Sequence, residues 1–139
     1  MSIQFFLPMQ PPTVTAQQKG LNVRKNGKPY AYEKAEVAAV RQCFRDKLRP
    51  HCPKQPLCGG IQLITKWVWE ITSPAHKNGE YKLTKPDTDN VLKLFKDAMT
   101  DVGFWHDDAQ VCSEVTEKFW GDVPGIWVFV EEVCDGNGG

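Results

Sequence analysis

One stretch of this chain limits its architecture more than any other. From Ile61 to Ile71 the side chains alternate: Ile61, Leu63, Thr65, Trp67, Trp69 and Ile71 fall on one side, and Gln62, Ile64, Lys66, Val68 and Glu70 on the other. A period of two is that of a β-strand, whose successive side chains leave opposite faces. A strand with two tryptophans on one face needs a covering layer. The flanking segments offer one, in helical form.

Between Glu33 and about Arg49, the residues Val37, Val40, Phe44 and Leu48 recur at steps of three and four, which places them on one helical face. Arg41, Arg45 and Arg49 form a second stripe, and Pro50 and Pro53 end the helix. A second helix is expected from about Thr88 to Asp101. Leu92, Phe95, Met99 and Val102 lie on its buried side, joined by Val91 and Ala98. Gly103 suits its termination, since it has no Cβ to oppose a left-handed cap.

The rest supplies more strands. Ile3 to Leu7 is short and apolar and is stopped by Pro8, Pro11 and Pro12. Leu21 to Tyr32 centres on Asn26-Gly27, a dipeptide suited to a tight hairpin turn. Ser73 to Lys85 is polar and reads as a long exposed loop. Two further strands are expected near Gln110–Trp120 and Ile126–Val133, with a Gly/Pro turn at Gly121–Gly125 between them. The order implies an α+β fold, a small mixed β-sheet with helices packed against it. With 139 residues, one domain over 1–133 is expected, followed by a frayed tail at 134–139.

Composition narrows the function. No run of about 18 apolar residues is present to span a membrane, and the opening Met-Ser-Ile-Gln-Phe-Phe-Leu-Pro lacks the marks of a signal peptide, so a cytoplasmic protein is expected. Five scattered cysteines do not resemble a secreted disulfide framework. His51, Cys52 and Cys58 are too few for a closed zinc site, which needs four ligands. The net charge is zero, yet residues 1–96 hold 16 Lys/Arg against 7 Asp/Glu, and residues 97–139 hold one Lys against 10 acids. An anionic backbone meets a local surface, so the asymmetry matters more than the sum. Lys19, Arg24, Lys25 and Lys28 in the hairpin, Arg41 and Arg45 on the first helix, and Lys85 are candidate contacts to DNA phosphates. A solvated helix face beside a polar loop explains the same charges equally well.

The chemistry concentrates in two segments, Lys85-Pro86-Asp87-Thr88-Asp89-Asn90-Val91-Leu92-Lys93 and Gly103-Phe104-Trp105-His106-Asp107-Asp108-Ala109-Gln110. Asp87 and Asp89 stand at a helix start, where free backbone N–H groups favour negative charge. If the turn after Gly103 brings Asp107 or Asp108 back to them, like charges meet and call for a cation. A hard divalent ion such as magnesium accepts carboxylate and phosphate oxygens together. The plainer alternative makes Asp87 an N-cap, Asp89–Lys93 a surface ion pair worth about 0.3–0.5 kcal/mol, and Asp107-Asp108 turn residues. His106 beside two acids is more simply incidental than a ligand.

The two segments resemble the signature of RusA-type crossover-junction endodeoxyribonucleases: Asp-x-Asp-Asn-x-x-Lys at a helix start, then Gly-aromatic-aromatic-x-Asp-Asp-x-Gln after that helix. The order and the interval both match. The resemblance extends more weakly over most of the chain. It implies that Asp87, Asp89 and Asp108 hold magnesium and that Lys93 is the catalytic lysine. Asp107 would assist, and Asn90 would organise the turn. It further implies a RusA-like homodimer that cuts symmetry-related strands of a four-way DNA junction without an organic cofactor, in recombination and repair, and it suggests a phage or prophage origin. The tract before Asp87 carries only Lys77, Lys82 and Lys85, where a more basic one is expected. Cleavage of flaps or forks, and DNA binding without turnover, are the alternatives.

Overall fold

The structure is a computed structural model that describes residues 1–13, 20–23, 29–32 and 35–134. The elements are β1 (Ser2–Pro8), β2 (Gly20–Val23), β3 (Pro29–Tyr32), α1 (Ala35–Leu48), a 3-10 turn at Arg49–His51, β4 (Gly60–Glu70), α2 (Thr88–Val102), a 3-10 turn at Asp108–Gln110, β5 (Val111–Gly121) and β6 (Gly125–Cys134). Four strands form a mixed sheet in the order β1-β6-β4-β5. The β4–β5 pair is parallel; the β1–β6 and β4–β6 pairs are antiparallel. With the two helices, this is the α+β arrangement expected.

β4 holds the centre for the reason its sequence states. Ile61, Leu63, Thr65, Trp67 and Trp69 are all buried, and the residues between them are not. Trp67 packs edge-on against Phe44 of α1 and Phe95 of α2, with ring centroids 5.9 and 5.2 Å away, and Phe44 meets Phe95 at 5.0 Å. Edge-to-face aromatic pairs add about 0.5–1.5 kcal/mol each beyond their burial, so this triangle locks both helices to one face of the sheet. The Trp67 indole N–H donates to the Thr65 hydroxyl at 2.8 Å, which satisfies both groups within the core.

A parallel pair needs a crossover of a dozen or more residues, and α2 is that crossover. β5 starts beside the start of β4, with Ile61 opposite Val111, and runs back along α2. Its Glu114 therefore meets Lys96 in the middle of α2, and its Lys118 meets the residues just before the helix. Gly103 ends α2 at φ 105°, the left-handed geometry anticipated for it, and its N–H donates to Met99 O and Thr100 O.

Three local expectations are refined. The strands on either side of Asn26-Gly27 pair as a hairpin, Gly20–Val23 with Pro29–Tyr32, while the turn itself lies outside the described residues. The end of the chain beyond Cys134 lies outside them too; Cys134, expected in the tail, closes β6. The tract after β4 is not simply an exposed loop. Tyr81 bridges to Phe119, the Gly79 N–H donates to Trp120 O, and the Lys82 N–H donates to Lys118 O, so it covers the end of an edge strand. Unpaired edges invite foreign strands, and this cover shields the last residues of β5, Lys118 to Gly121. Among the described residues, no helix is long and apolar enough to cross a membrane.

Candidate active site

A cleft of about 340 Å³ runs along α2, lined by Asp89, Leu92, Lys93, Lys96 and Asp97 of the helix together with Asp108 and Glu114 from the β5 side. It joins both halves of the sequence signature. Asp89, Lys93 and Asp108 are exposed, and among the described residues none of these three side chains has a hydrogen-bond or ion-pair partner. Three unpaired charges facing one space leave it open to charged ligands. The surface pair Asp89–Lys93, the plainer alternative, is not made.

Asp87 stands apart from that lining. It is the N-cap residue of α2 with φ −70° and ψ 150°, yet its side chain makes no capping hydrogen bond. Its carboxylate oxygens instead accept from Lys85 Nζ at 3.0 and 3.1 Å. Behind it, Lys118 Nζ donates to the carbonyls of Thr84 and Pro86, each at 2.7 Å, and so ties the approach to α2 onto β5. Burial pushes the Lys118 pKa down, the Asp87 charge pulls it back up, and Lys85 lowers it again. Lys82 is buried, with its ammonium 4.2 Å from the Trp120 ring centroid and 5.5 Å from that of Trp69, and it donates to Thr84 Oγ1. Burial, then Lys118, lowers its pKa. Asn90, in the first turn, is buried.

The loop carrying Asp108 is held by other means. Phe104 and Trp105 are buried, and the Trp105 indole donates to Thr100 Oγ1 at 2.7 Å. Asp107 accepts from the Ala109 N–H at 2.8 Å and forms a capping box with Gln110. Gln110 uses its whole amide: its oxygen accepts from the N–H groups of His106 and Asp107, and its nitrogen donates to the carbonyls of Leu57 and Gly59. Asp107 and Gln110 therefore fix the backbone, and Asp108 between them is left unpaired toward the cleft. His106 is exposed and engages the loop through its backbone.

The basic residues divide in two. Lys19, Arg24, Lys25 and Lys28 lie outside the described residues. Arg41 pairs with Asp97 at 3.2 Å and Arg45 with Asp101 at 3.0 Å, so the arginine stripe of α1 faces the acids of α2. Reading one segment at a time left three cleft residues and one brace without a role in the site. Lys96 and Glu114 pair at 3.0 Å between α2 and β5, Asp97 lines the cleft, and Lys118 braces the start of α2. The acidic stretch after residue 96 was the available signal for Glu114; Lys118, alone among acids, was that for a buried partner.

Among the described residues, no three His, Cys, Asp or Glu side chains stand together as a group able to hold a metal. Asp87, Asp89 and Asp108 thus do not form a closed cage. The donor set still fits a hard divalent ion in kind. Magnesium keeps several waters and is commonly bound through one or two carboxylates plus substrate phosphate oxygens. Two unpaired carboxylates on one open cleft meet that requirement.

Comparison with known proteins adds two findings. A family model described as Endodeoxyribonuclease RusA matches residues 8–131. A Bacillus subtilis (strain 168) protein, the uncharacterized protein YqaN, is 27% identical over 120 residues, which cover 78% of this chain and 83% of that one.

Proposed function

The chain belongs to the RusA endodeoxyribonuclease family, and from that premise we propose that it resolves four-way DNA junctions by magnesium-dependent hydrolysis of phosphodiester bonds. The observation that carries this reading is the cleft itself, which the unpaired side chains of Asp89, Lys93 and Asp108 all line. Asp89 and Asp108 would hold the cation, with Asp87, now engaged by Lys85, as the third carboxylate available to it. A bound magnesium ion supplies Lewis acidity toward the scissile phosphate and relieves repulsion among the acids. Lys93 places a positive charge against the phosphate where negative charge grows during attack. Asp107 and Gln110 keep Asp108 in place, and Asn90 orders the first turn of α2.

DNA lies along the basic side of the molecule. Lys85 would be available to a phosphate if a cation took the Asp87 carboxylate, and Lys19, Arg24, Lys25 and Lys28, outside the described residues, are further candidate phosphate contacts. Arg41 and Arg45 contribute positive potential next to Asp97 and Asp101. Binding through phosphates falls steeply with salt. The protein acts as a homodimer, so that two sites cut symmetry-related strands, in the cytoplasm and in DNA recombination and repair; a phage or prophage origin suits such an enzyme.

The test is cleavage of a synthetic four-way junction with magnesium, beside the same arms as linear duplexes. Paired symmetric nicks in the junction alone are expected, and Asp87→Asn should bind the junction without cutting it. Equal cutting of the linear arms would assign another substrate, and undiminished cutting by the variant would remove Asp87 from the site.

A further inference from the structure

Three strands meet at Gly60. Gly60 is the cross-strand partner of Cys134 on β6, and residues opposite one another in a sheet share a face. On the other side the β4–β5 register shifts: Ile61 pairs with Val111 and Gln62 with Ser113, so Cys112 is the extra residue of a bulge. Bulges re-aim side chains. This one turns the Cys112 thiol toward the same glycine. A Cβ built on Gly60 would lie 2.6 Å from Cys134 Sγ and 3.2 Å from Cys112 Sγ. The two sulfurs can be no farther apart than those distances laid end to end. Neither cysteine is in a disulfide and both are exposed; the Cys112 thiol donates to Ile61 O at 3.6 Å. Glycine at this position lets both sulfurs lie close over the β4 backbone.

We propose that Cys112 and Cys134 form a two-sulfur site for a soft monovalent cation, copper(I) or its surrogate silver(I), bridging β5 and β6 above Gly60. Thiolates select soft cations over magnesium, so this site does not compete with the acid cleft. Among the described residues no third His, Cys, Asp or Glu completes a metal-holding group. Zinc favours four ligands, whereas a two-coordinate ion is satisfied by two sulfurs.

A disulfide fits less well. β4 lies between the two strands, and at about 4.8 Å per strand the backbones stand roughly 10 Å apart, beyond the ~7 Å limit for Cα atoms in a disulfide. A sulfur–metal–sulfur bridge reaches farther, with two bonds of roughly 2.3 Å if they match those of zinc thiolates. Binding converts two thiols to thiolates and releases two protons to solvent, with no change of oxidation state, so no oxidant is required.

Site-resolved alkylation tests this on the unaltered chain. The reduced protein is treated with iodoacetamide in chloride-free buffer, with and without one equivalent of silver nitrate, and each cysteine is followed by mass spectrometry. A metal-held thiolate is a poor nucleophile, so Cys112 and Cys134 should react at least about tenfold more slowly with silver present. Cys58, also exposed, should react at an unchanged rate. Protection of only one of the pair, or of Cys58 to the same degree, overturns the proposal. In the Cys112→Ser chain, Cys134 should lose its protection; if it stays protected, the two sulfurs do not act together.

Discussion

The two ends of α2 each carry a pair of aspartates, and each pair divides its tasks in a similar way by different means. At the start, Asp87 is engaged by Lys85 and Asp89 is left unpaired in the cleft. Past the far end, Asp107 caps a 3-10 turn and Asp108 is left unpaired in the same cleft. The supports differ. The start is held by lysines, with Lys118 on two carbonyls and Lys85 on Asp87, whereas the far end is held by a neutral amide and two buried aromatic rings. A lysine can exchange its partner for a phosphate or lose it to a cation. An amide with every position used cannot. The comparison therefore predicts a start that rearranges when metal and DNA bind, and a far end that does not.

The largest effect should separate the acids assigned to the cation, Asp87, Asp89 and Asp108, from Asp107, which caps a turn. Asp89→Asn or Asp108→Asn is expected to lower single-turnover junction cleavage at least about 10³-fold, roughly 4 kcal/mol of barrier, with thermal stability unchanged. An Asn at either position that cuts at the normal rate breaks the comparison. Next comes Lys118→Met. Hydrogen bonds to charged groups contribute about 1.5–3 kcal/mol, so denaturant melts should show a loss of this size, and Lys118→Arg should restore part of it. No loss would show that the start of α2 does not depend on its lysine brace.

Smaller effects sharpen the contrast. Asp107→Ala removes a cap worth about 1 kcal/mol, to be read as a lower denaturation midpoint with magnesium affinity retained. Arg45→Ala removes a largely surface pair with Asp101 and should cost under about 1 kcal/mol. If Arg45 also meets a phosphate, the same variant lowers the salt slope of DNA binding by about one; an unchanged slope confines it to holding α1 on α2. The least effect is one of pH. Lys82 has its pKa lowered by burial and by Lys118 from the usual 10.5. Between the lowered value and 10.5 the unfolded chain binds more protons, so this residue makes stability rise with pH there. Chemical denaturation at a series of alkaline pH values should show a shallower rise for Lys82→Met.

Much of the fold was legible because it is written locally. The alternation from Ile61 marked the buried face of β4, the spacing of Phe44 and Phe95 marked the helix faces that meet Trp67, and Gly103 marked the end of α2. The tract after β4 misled because its pairing to β5 is made mostly through backbone groups, which leave no periodicity in side chains. In the candidate site, the residue types were readable and their division of labour was not. Asp107 caps because its backbone is extended, at φ −151° and ψ 133°, and adjacent identical residues give no hint of which will do so. Lys96, Glu114 and Lys118 act across elements far apart in sequence, where spacing carries no signal.

The most direct test of this account compares the two adjacent acids of the far end in one assay. Asp107→Asn and Asp108→Asn are measured side by side for magnesium-dependent cutting of a four-way junction, each checked for native circular dichroism. Retained cutting by the first and lost cutting by the second is the predicted result. Equal activity in both chains, or loss only in Asp107→Asn, would contradict the assignment of the cleft as the catalytic centre.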